Sequence, residues 1–279
     1  MAQRVRIGAV APALPASLLA ERTLTFEPCE YDLYSAASEL LAATPALGSF
    51  PAPPTAEVMP GSEARAAGAV AAAAVEEAPA AAALMTPAPA GHLESFELRL
   101  NVFRNFKARQ VLYRAVGSSR AFLEVYERLV HSVVLPAVVA WLAAAGEVDA
   151  PQRFHYQYPP TMRLQPGPSM EHGRTHCDTE YGHQAGELNF WLPLTSSALT
   201  RTTLWAESMP GAGDFHPLAV DYGEMACFHG ALCSHFAPPN ESSHLRVSLD
   251  FRIGVGRFFD PEWRLPGVKA QHTWREVLL

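Results

Sequence analysis

Charge is sparse in this chain. Only 18% of its 279 residues are Asp, Glu, Lys or Arg, and the formal balance is −7. No run of Lys and Arg is present, so there is no basic, aromatic-interleaved patch of the kind that grips a phosphate backbone, and nucleic acid is not an expected partner. Cysteine is scarce too. Cys29, Cys177, Cys227 and Cys233 make no CxxC pair and no zinc-ribbon spacing, so they read as reduced thiols in a reducing, intracellular and cytoplasmic setting. No apolar run reaches the roughly 20 residues of a membrane span. The longest, Leu129 to Ala145, contains His131, Ser132 and Pro136 and reads as a buried helix kinked at the proline. Acids are missing before Glu21, while Arg4 and Arg6 are present, a pattern shared with transit peptides; Pro12 and Pro15 interrupt the stretch and argue against a secretory signal.

What is present divides into three parts. Residues 1–45 hold a candidate strand at Thr23–Phe26 and a candidate helix at Tyr34–Ala43, expected to pack on the core. Residues 46–90 are a compositional break, rich in Ala and punctuated by Pro51, Pro53, Pro54, Pro60, Pro79, Pro87 and Pro89, with no chemistry of their own; they read as a low-complexity linker or insertion. Residues 91–279 carry the aromatic density of a folded domain. Phe96 to Phe106 should pack on it as a strand or helix, and Arg120–Ala145 has apolar residues at helical spacing. Short strands are expected at Phe154–Tyr158, Thr161–Gln165, Thr175–Asp178, Leu188–Pro193, Thr203–Glu207, Ala226–Phe228, Ser234–Ala237 and Leu245–Ile253. Many short strands separated by Gly and Pro clusters suit a jelly roll.

The chemistry-bearing residues are His176, Asp178, His235 and Arg246. If Thr175–Asp178 is extended, His176 and Asp178 project to one side and Cys177 to the other. His235 follows 57 residues after Asp178, and Arg246 another 11 on. Two imidazoles and one carboxylate are the facial ligand set of non-haem Fe(II) oxygenases, which leaves iron positions open for cosubstrate and O2. In Leu245–Ile253, Arg246, Ser248, Asp250 and Arg252 alternate with Val247, Leu249, Phe251 and Ile253. Arg246 and Ser248 side by side could hold a distal carboxylate by charge and by hydroxyl.

The ordered stretches THCDTEYGH from Thr175, GELNFWLPLT from Gly186, TTLWAES from Thr202, YGEMACFHG from Tyr222 and SHFAPPNESSHLRVSLDFR from Ser234 carry a family likeness. Over roughly residues 155–255 the sequence resembles the Fe(II)/2-oxoglutarate-dependent dioxygenases, and within them the phytanoyl-CoA-hydroxylase-like oxygenases of the streptomycin-biosynthesis type. The resemblance implies a mainly β fold with bracing helices, built on a double-stranded β-helix. It implies His176, Asp178 and His235 as metal ligands, Arg246 and Ser248 as 2-oxoglutarate contacts, and Fe(II), 2-oxoglutarate and O2 as cofactors, with ascorbate as a reductant. The implied reaction is hydroxylation, desaturation or cyclisation of a small polar metabolite with release of succinate and CO2. Asp178 argues against a halogenase, which needs the carboxylate position vacated for halide.

Other residues remain open between two roles. His229 rivals His235 as the distal ligand; the separation from Arg246 favours His235. Asn189 shares a strand face with Glu187 and Trp191 and either contacts the cosubstrate or simply meets solvent. Tyr181, His183, Trp205, Glu207, Asp250 and Arg252 are candidate substrate contacts; Asp250 and Arg252 could instead pair with each other. Two further functions compete: an oxidative nucleic-acid demethylase, since Arg246 to Arg252 spaces its arginines as such enzymes do, and a non-oxygenase metal-binding jelly roll, which would leave Arg246 and Ser248 without a role.

Overall fold

The computed structural model describes residues 11–50, 93–98, 100–147, 152–170, 172–266 and 272–279. Among the described residues, ten strands form two sheets. The larger contains β1 (Arg22–Thr25), β2 (Arg153–Gln157), β3 (Thr161–Gln165), β4 (Glu187–Pro193), β7 (Glu224–Phe228), β9 (Arg246–Val255) and β10 (Trp274–Leu278). Its order is β1-β7-β4-β9-β2-β10, with β3 also on β9. The smaller orders β6 (His216–Pro217), β5 (Trp205–Ala206) and β8 (His235–Phe236).

Strand β9 organises the molecule. One edge pairs with β4 along seven residues, Glu187↔Gly254 to Pro193↔Ser248. The other edge is shared: β3 takes the first half, Gln165↔Arg246 to Thr161↔Asp250, and β2 the last, Tyr156↔Ile253 to Phe154↔Val255. Opposite residues in antiparallel strands share a face. The register therefore puts Gln165, Arg163, Thr161 and Asn189 beside Arg246, Ser248, Asp250 and Arg252 on one side. It puts Leu164, Met162, Leu188, Phe190 and Leu192 beside Val247, Leu249, Phe251 and Ile253 on the other. The expected alternation of β9 holds, and both of its faces are buried apart from a half-buried Asp250.

The apolar face meets the helices. α1 (Leu33–Ala42), one residue from its expected bounds, is capped by Asp32, whose side chain accepts the Ser35 N–H at 2.9 Å. α3 (Arg120–Leu129) and α4 (Leu135–Ala144) are joined without a break through a π-helical turn at Val130–Val134. The turn has a local cause. Pro136 has no N–H to offer and its ring collides with the preceding carbonyl, so the chain widens by one residue, and the Leu135 N–H bonds to the Val130 carbonyl. The expected kink is thus a π turn. Arg120–Ala144 is long and apolar enough to cross a membrane by composition alone. In this protein Phe122, Tyr126, Leu129, Val134 and Val138 turn its inner side into the core. Tyr126 also donates its hydroxyl to the Gln157 carbonyl at 2.7 Å, tying the helix to β2.

Several expectations need correction. α2 (Phe106–Ser118) is a full helix, whereas the expected strand or helix over Phe96 to Phe106 stopped at its first residue. Its signal is in the letters: Asn105 caps it, accepting the Ala108 N–H at 3.1 Å, and Ala108, Leu112 and Val116 recur every fourth residue and are buried. The expected strand at Thr175–Asp178 is one bridge residue, His176, because a 3-10 turn begins at Asp178. β6 and β10 were not expected; both are short on apolar alternation and lie at sheet edges. Residues 51–90 of the Ala/Pro-rich segment lie outside the described residues.

Phe251 sits fully buried at the centre, stacked on Phe190 at 5.3 Å and edge-on to Tyr126 at 5.2 Å. Phe251→Ala should lower unfolding free energy by about 3–5 kcal/mol, read from urea denaturation midpoints at unchanged slope.

Candidate metal centre

His176 and His235 face each other across an isolated antiparallel bridge, His176 N–H to His235 O at 3.2 Å and His235 N–H to His176 O at 3.0 Å. Directly opposed residues send their side chains to one side, which brings the imidazole centroids to 4.4 Å. Each ring is then locked by its own backbone. His176 Nδ1–H donates to the Arg174 carbonyl at 2.7 Å and His235 Nδ1–H to the Cys233 carbonyl at 3.0 Å. That choice of tautomer leaves both Nε2 lone pairs free, as metal ligation requires.

Asp178 completes the group from the first residue of its 3-10 turn, with its N–H on the Gly230 carbonyl at 2.9 Å. Its Oδ1 lies 3.7 Å from His176 Nε2 and 3.5 Å from His235 Nε2. Its Oδ2 is fully engaged elsewhere: Arg252 donates Nη2–H at 2.8 Å and Nε–H at 3.1 Å, and Asn189 donates its amide N–H at 2.5 Å. One carboxylate oxygen is spent on protein and the other is aimed at the imidazoles. Burial alone would raise the Asp178 pKa; the adjoining Arg252 guanidinium and the His235 ring outweigh it and hold the carboxyl well below the usual range. The His176 pKa is lowered as well, chiefly by burial and then by the neighbouring His235, which favours the neutral ring. Among the described residues, His176, Asp178 and His235 are the group able to hold a metal ion, with ligand atoms all within 4.8 Å of one another.

The rival His229 is accounted for. It is buried, with Nε2–H donated to the Ala185 carbonyl at 2.9 Å, outside the cluster. The adjoining Gly230 is needed for close approach: a Cβ there would lie 2.7 Å from the Asn189 amide carbon. Cys177 points away, its Sγ 3.2 Å from the Leu232 carbonyl.

Arg246 and Ser248 lie on the same face of β9. Both are buried, and Arg246 Nε and Nη1 and Ser248 Oγ have no hydrogen-bond partner. Burial and the nearby Arg163 lower the Arg246 pKa to about 10, so it remains a cation at neutral pH. A buried guanidinium and hydroxyl without protein partners have the chemistry to receive an anion.

The remaining candidates separate. Tyr181 stands edge-on to His176 at 5.1 Å and His183 lies against His272 at 5.1 Å; all four residues line a cavity of about 780 Å³ that opens onto Asp178. His183 is buried, with Nδ1–H on Glu187 at 2.7 Å. Asn189, expected to meet cosubstrate or solvent, is bound to Asp178. Arg252, expected at the substrate, spends its guanidinium on Asp178, on Gln157 at 3.1 Å and on Asp250 at 3.3 Å, though it still lines the cavity. Asp250 also pairs with Arg163. Glu207 does not line the cavity; its oxygens accept the backbone N–H groups of Gly211, Gly213 and Ser234 and close a loop. Trp205 stacks on Phe236 at 6.1 Å, also away from it. Sequence reasoning missed Gln157, Arg163, His272 and the α2 residues at the cavity, whose roles come only from strand register and helix placement.

The chain is similar to Streptomycin biosynthesis protein StrG of Streptomyces griseus. Identity is 34% over 140 residues, half of this chain, which spans about 60% of the length of StrG. The similarity to StrG bears out the streptomycin-biosynthesis resemblance read from the motifs. No protein-family model matches. Among solved structures, similarity extends to the non-heme monooxygenase ThoJ (19% identity, 51% of this chain and 66% of that one, TM-score 0.36). It extends also to the non-heme alpha ketoglutarate dependent carbocyclase SnoK from nogalamycin biosynthesis (15%, 51% and 62%, TM-score 0.37). AviO1 from Streptomyces viridochromogenes Tue57 aligns over 92% of this chain and 99% of its own at 11% identity and TM-score 0.46.

The grip of Arg252 on Asp178 predicts that Arg252→Gln binds divalent metal about 10–100-fold more weakly, measured by competition against a chromogenic chelator.

Proposed function

We propose that this protein is an Fe(II)- and 2-oxoglutarate-dependent oxygenase with a jelly-roll core, acting on a small polar metabolite. The observation that carries the reading is a pair of groups of matching chemistry: three ligand atoms within 4.8 Å of one another, and a buried guanidinium and hydroxyl without protein partners on the strand that also braces the ligands. The residues fit the groups. Two Nε2 atoms and one carboxylate oxygen suit a non-haem iron with open positions. Arg246 and Ser248 suit a distal carboxylate, the guanidinium by charge and the hydroxyl by a further hydrogen bond. A bound iron would supply oxidation of a C–H bond by O2, with 2-oxoglutarate as the co-reductant that becomes succinate and CO2. The protein's own part is placement. His176, Asp178 and His235 fix the metal position, Arg252 and Asn189 keep Asp178 from turning, and the cavity holds the target bond beside them. StrG is a streptomycin biosynthesis protein, which accords with a small-molecule substrate.

Anaerobic addition of Fe(II) and then 2-oxoglutarate should give the weak visible charge-transfer band of the chelated cosubstrate. Asp178→Ala should abolish it, and Arg246→Met should weaken 2-oxoglutarate binding about 10–100-fold. Folded protein that binds metal yet gives no band would favour a non-oxygenase metal-binding jelly roll. The same Arg246→Met variant carries a second expectation. Removing a buried cation that has no partner relieves a desolvation penalty, so without 2-oxoglutarate its thermal midpoint should equal or exceed that of the parent.

A further inference from the structure

The cavity beside Asp178 has a charge opposite to that of the chain. The whole sequence carries −7, yet four arginines, Arg109, Arg114, Arg163 and Arg252, line this space against the single carboxylate of Asp178. Two of them are committed: Arg252 to Asp178 and Asp250, Arg163 to Asp250. Arg109 and Arg114 are not. Both stand on α2, and among the described residues neither enters an ion pair or a side-chain hydrogen bond; Arg109 only lies over the Phe106 ring, 5.7 Å from its centre. Phe106 and Tyr113 flank them, three or four residues from Arg109 along the helix, which sets the three on one side of it. These rings are 63% and 47% exposed, although α2 has a separate buried stripe for the core. Apolar rings left outside the core at a cavity mouth, interleaved with uncommitted cations, are a surface that receives something.

We infer that the substrate bears an oxyanion, a phosphate or a carboxylate, held by Arg109 and Arg114, with an adjoining apolar or ring face lying on Phe106 and Tyr113. That this cavity takes the substrate rests on the oxygenase reading above; that it takes an anion rests on its own residues. A mouth lined with one sign of charge over low-dielectric walls concentrates an anion from solution and excludes a cation. The same arginines orient it: an oxyanion fixed at α2 leaves the other end of the molecule beside Asp178, where oxidation would occur.

Isothermal titration of the intact protein with phenyl phosphate, benzoate, benzyl alcohol and benzylamine tests this, run with Zn(II) bound and repeated with 2-oxoglutarate at saturation. Phenyl phosphate or benzoate should bind at least tenfold more tightly than the alcohol or the amine, and the stronger of the two identifies the anion. The Arg109→Gln/Arg114→Gln double variant should lose that advantage, whereas Arg246→Met should keep it. Phe106→Ala/Tyr113→Ala should weaken phenyl phosphate several-fold and leave inorganic phosphate unchanged. Equal binding of all four probes would overturn the inference. So would anion binding that survives in the α2 variant and disappears in Arg246→Met, since the anion would then be in the β9 cradle. A missing charge-transfer band alongside anion binding that depends on Arg109 and Arg114 would discard the oxygenase reading and leave the anion site standing.

Discussion

The buried ion pair between Arg252 and Asp178 is the constraint around which the site is arranged. It joins the central strand of the large sheet to a turn otherwise held by the His176–His235 bridge and by the backbone bonds of Asp178 to Gly230 and Thr179 to Ala231. Bringing these charges out of water is expensive, and the expense is offset by good geometry and by the use of all three guanidinium nitrogens. Arg252 reaches Asp178 twice, Gln157 once and Asp250 once. Gln157 is in turn tied by its carbonyl to Tyr126 on α3. The position of one carboxylate oxygen is thereby set by a chain of contacts that runs from a helix on one side of the sheet, through the sheet, to the opposite face.

Strand β9 carries two arginines in opposite conditions. Arg252 is saturated with partners and its pKa is raised by its acidic neighbours despite burial, while Arg246 is buried with Nε and Nη1 unpaired and its pKa is lowered. The first condition serves rigidity, the second recognition. An unpaired buried cation is unfavourable in the free protein, and in the proposed reading that unfavourable free energy is relieved when the cosubstrate carboxylate arrives. Serine at 248 follows the same logic on a smaller scale.

Much of this was legible in the letters. The alternation of Leu245–Ile253 is a strong signal because a period of two is imposed by the pleat, and both faces of β9 bear it out. The spacing of His176, Asp178 and His235 anticipated a cluster that the fold does assemble, although the local conformation differs: a bridge residue followed by a 3-10 turn replaces the expected strand. Side-chain convergence survived that error because the antiparallel bridge, rather than an i to i+2 repeat, aligns the two imidazoles. What sequence could not reveal was pairing across elements. Whether Arg252 meets substrate or Asp178, and whether Glu207 meets substrate or three backbone amides, depends on register and loop closure, which leave no trace in local pattern. α2 is a different case, since its Asn105 cap and its Ala108-Leu112-Val116 stripe lie in the sequence, just beyond the Phe96 to Phe106 segment expected as a strand or helix.

The His176–His235 bridge has a consequence for mobility. Only two backbone hydrogen bonds hold these opposing residues, on segments that belong to different parts of the chain, and no regular ladder extends the pair. An ion shared by both imidazoles would act as a clasp across that seam, adding its binding free energy to the separation of the two segments. The amide protons of His176 and His235 are therefore natural reporters of occupancy: their exchange with solvent deuterium should be slow when the clasp is closed and fast when chelator opens it, with the core amides of β9 indifferent to both.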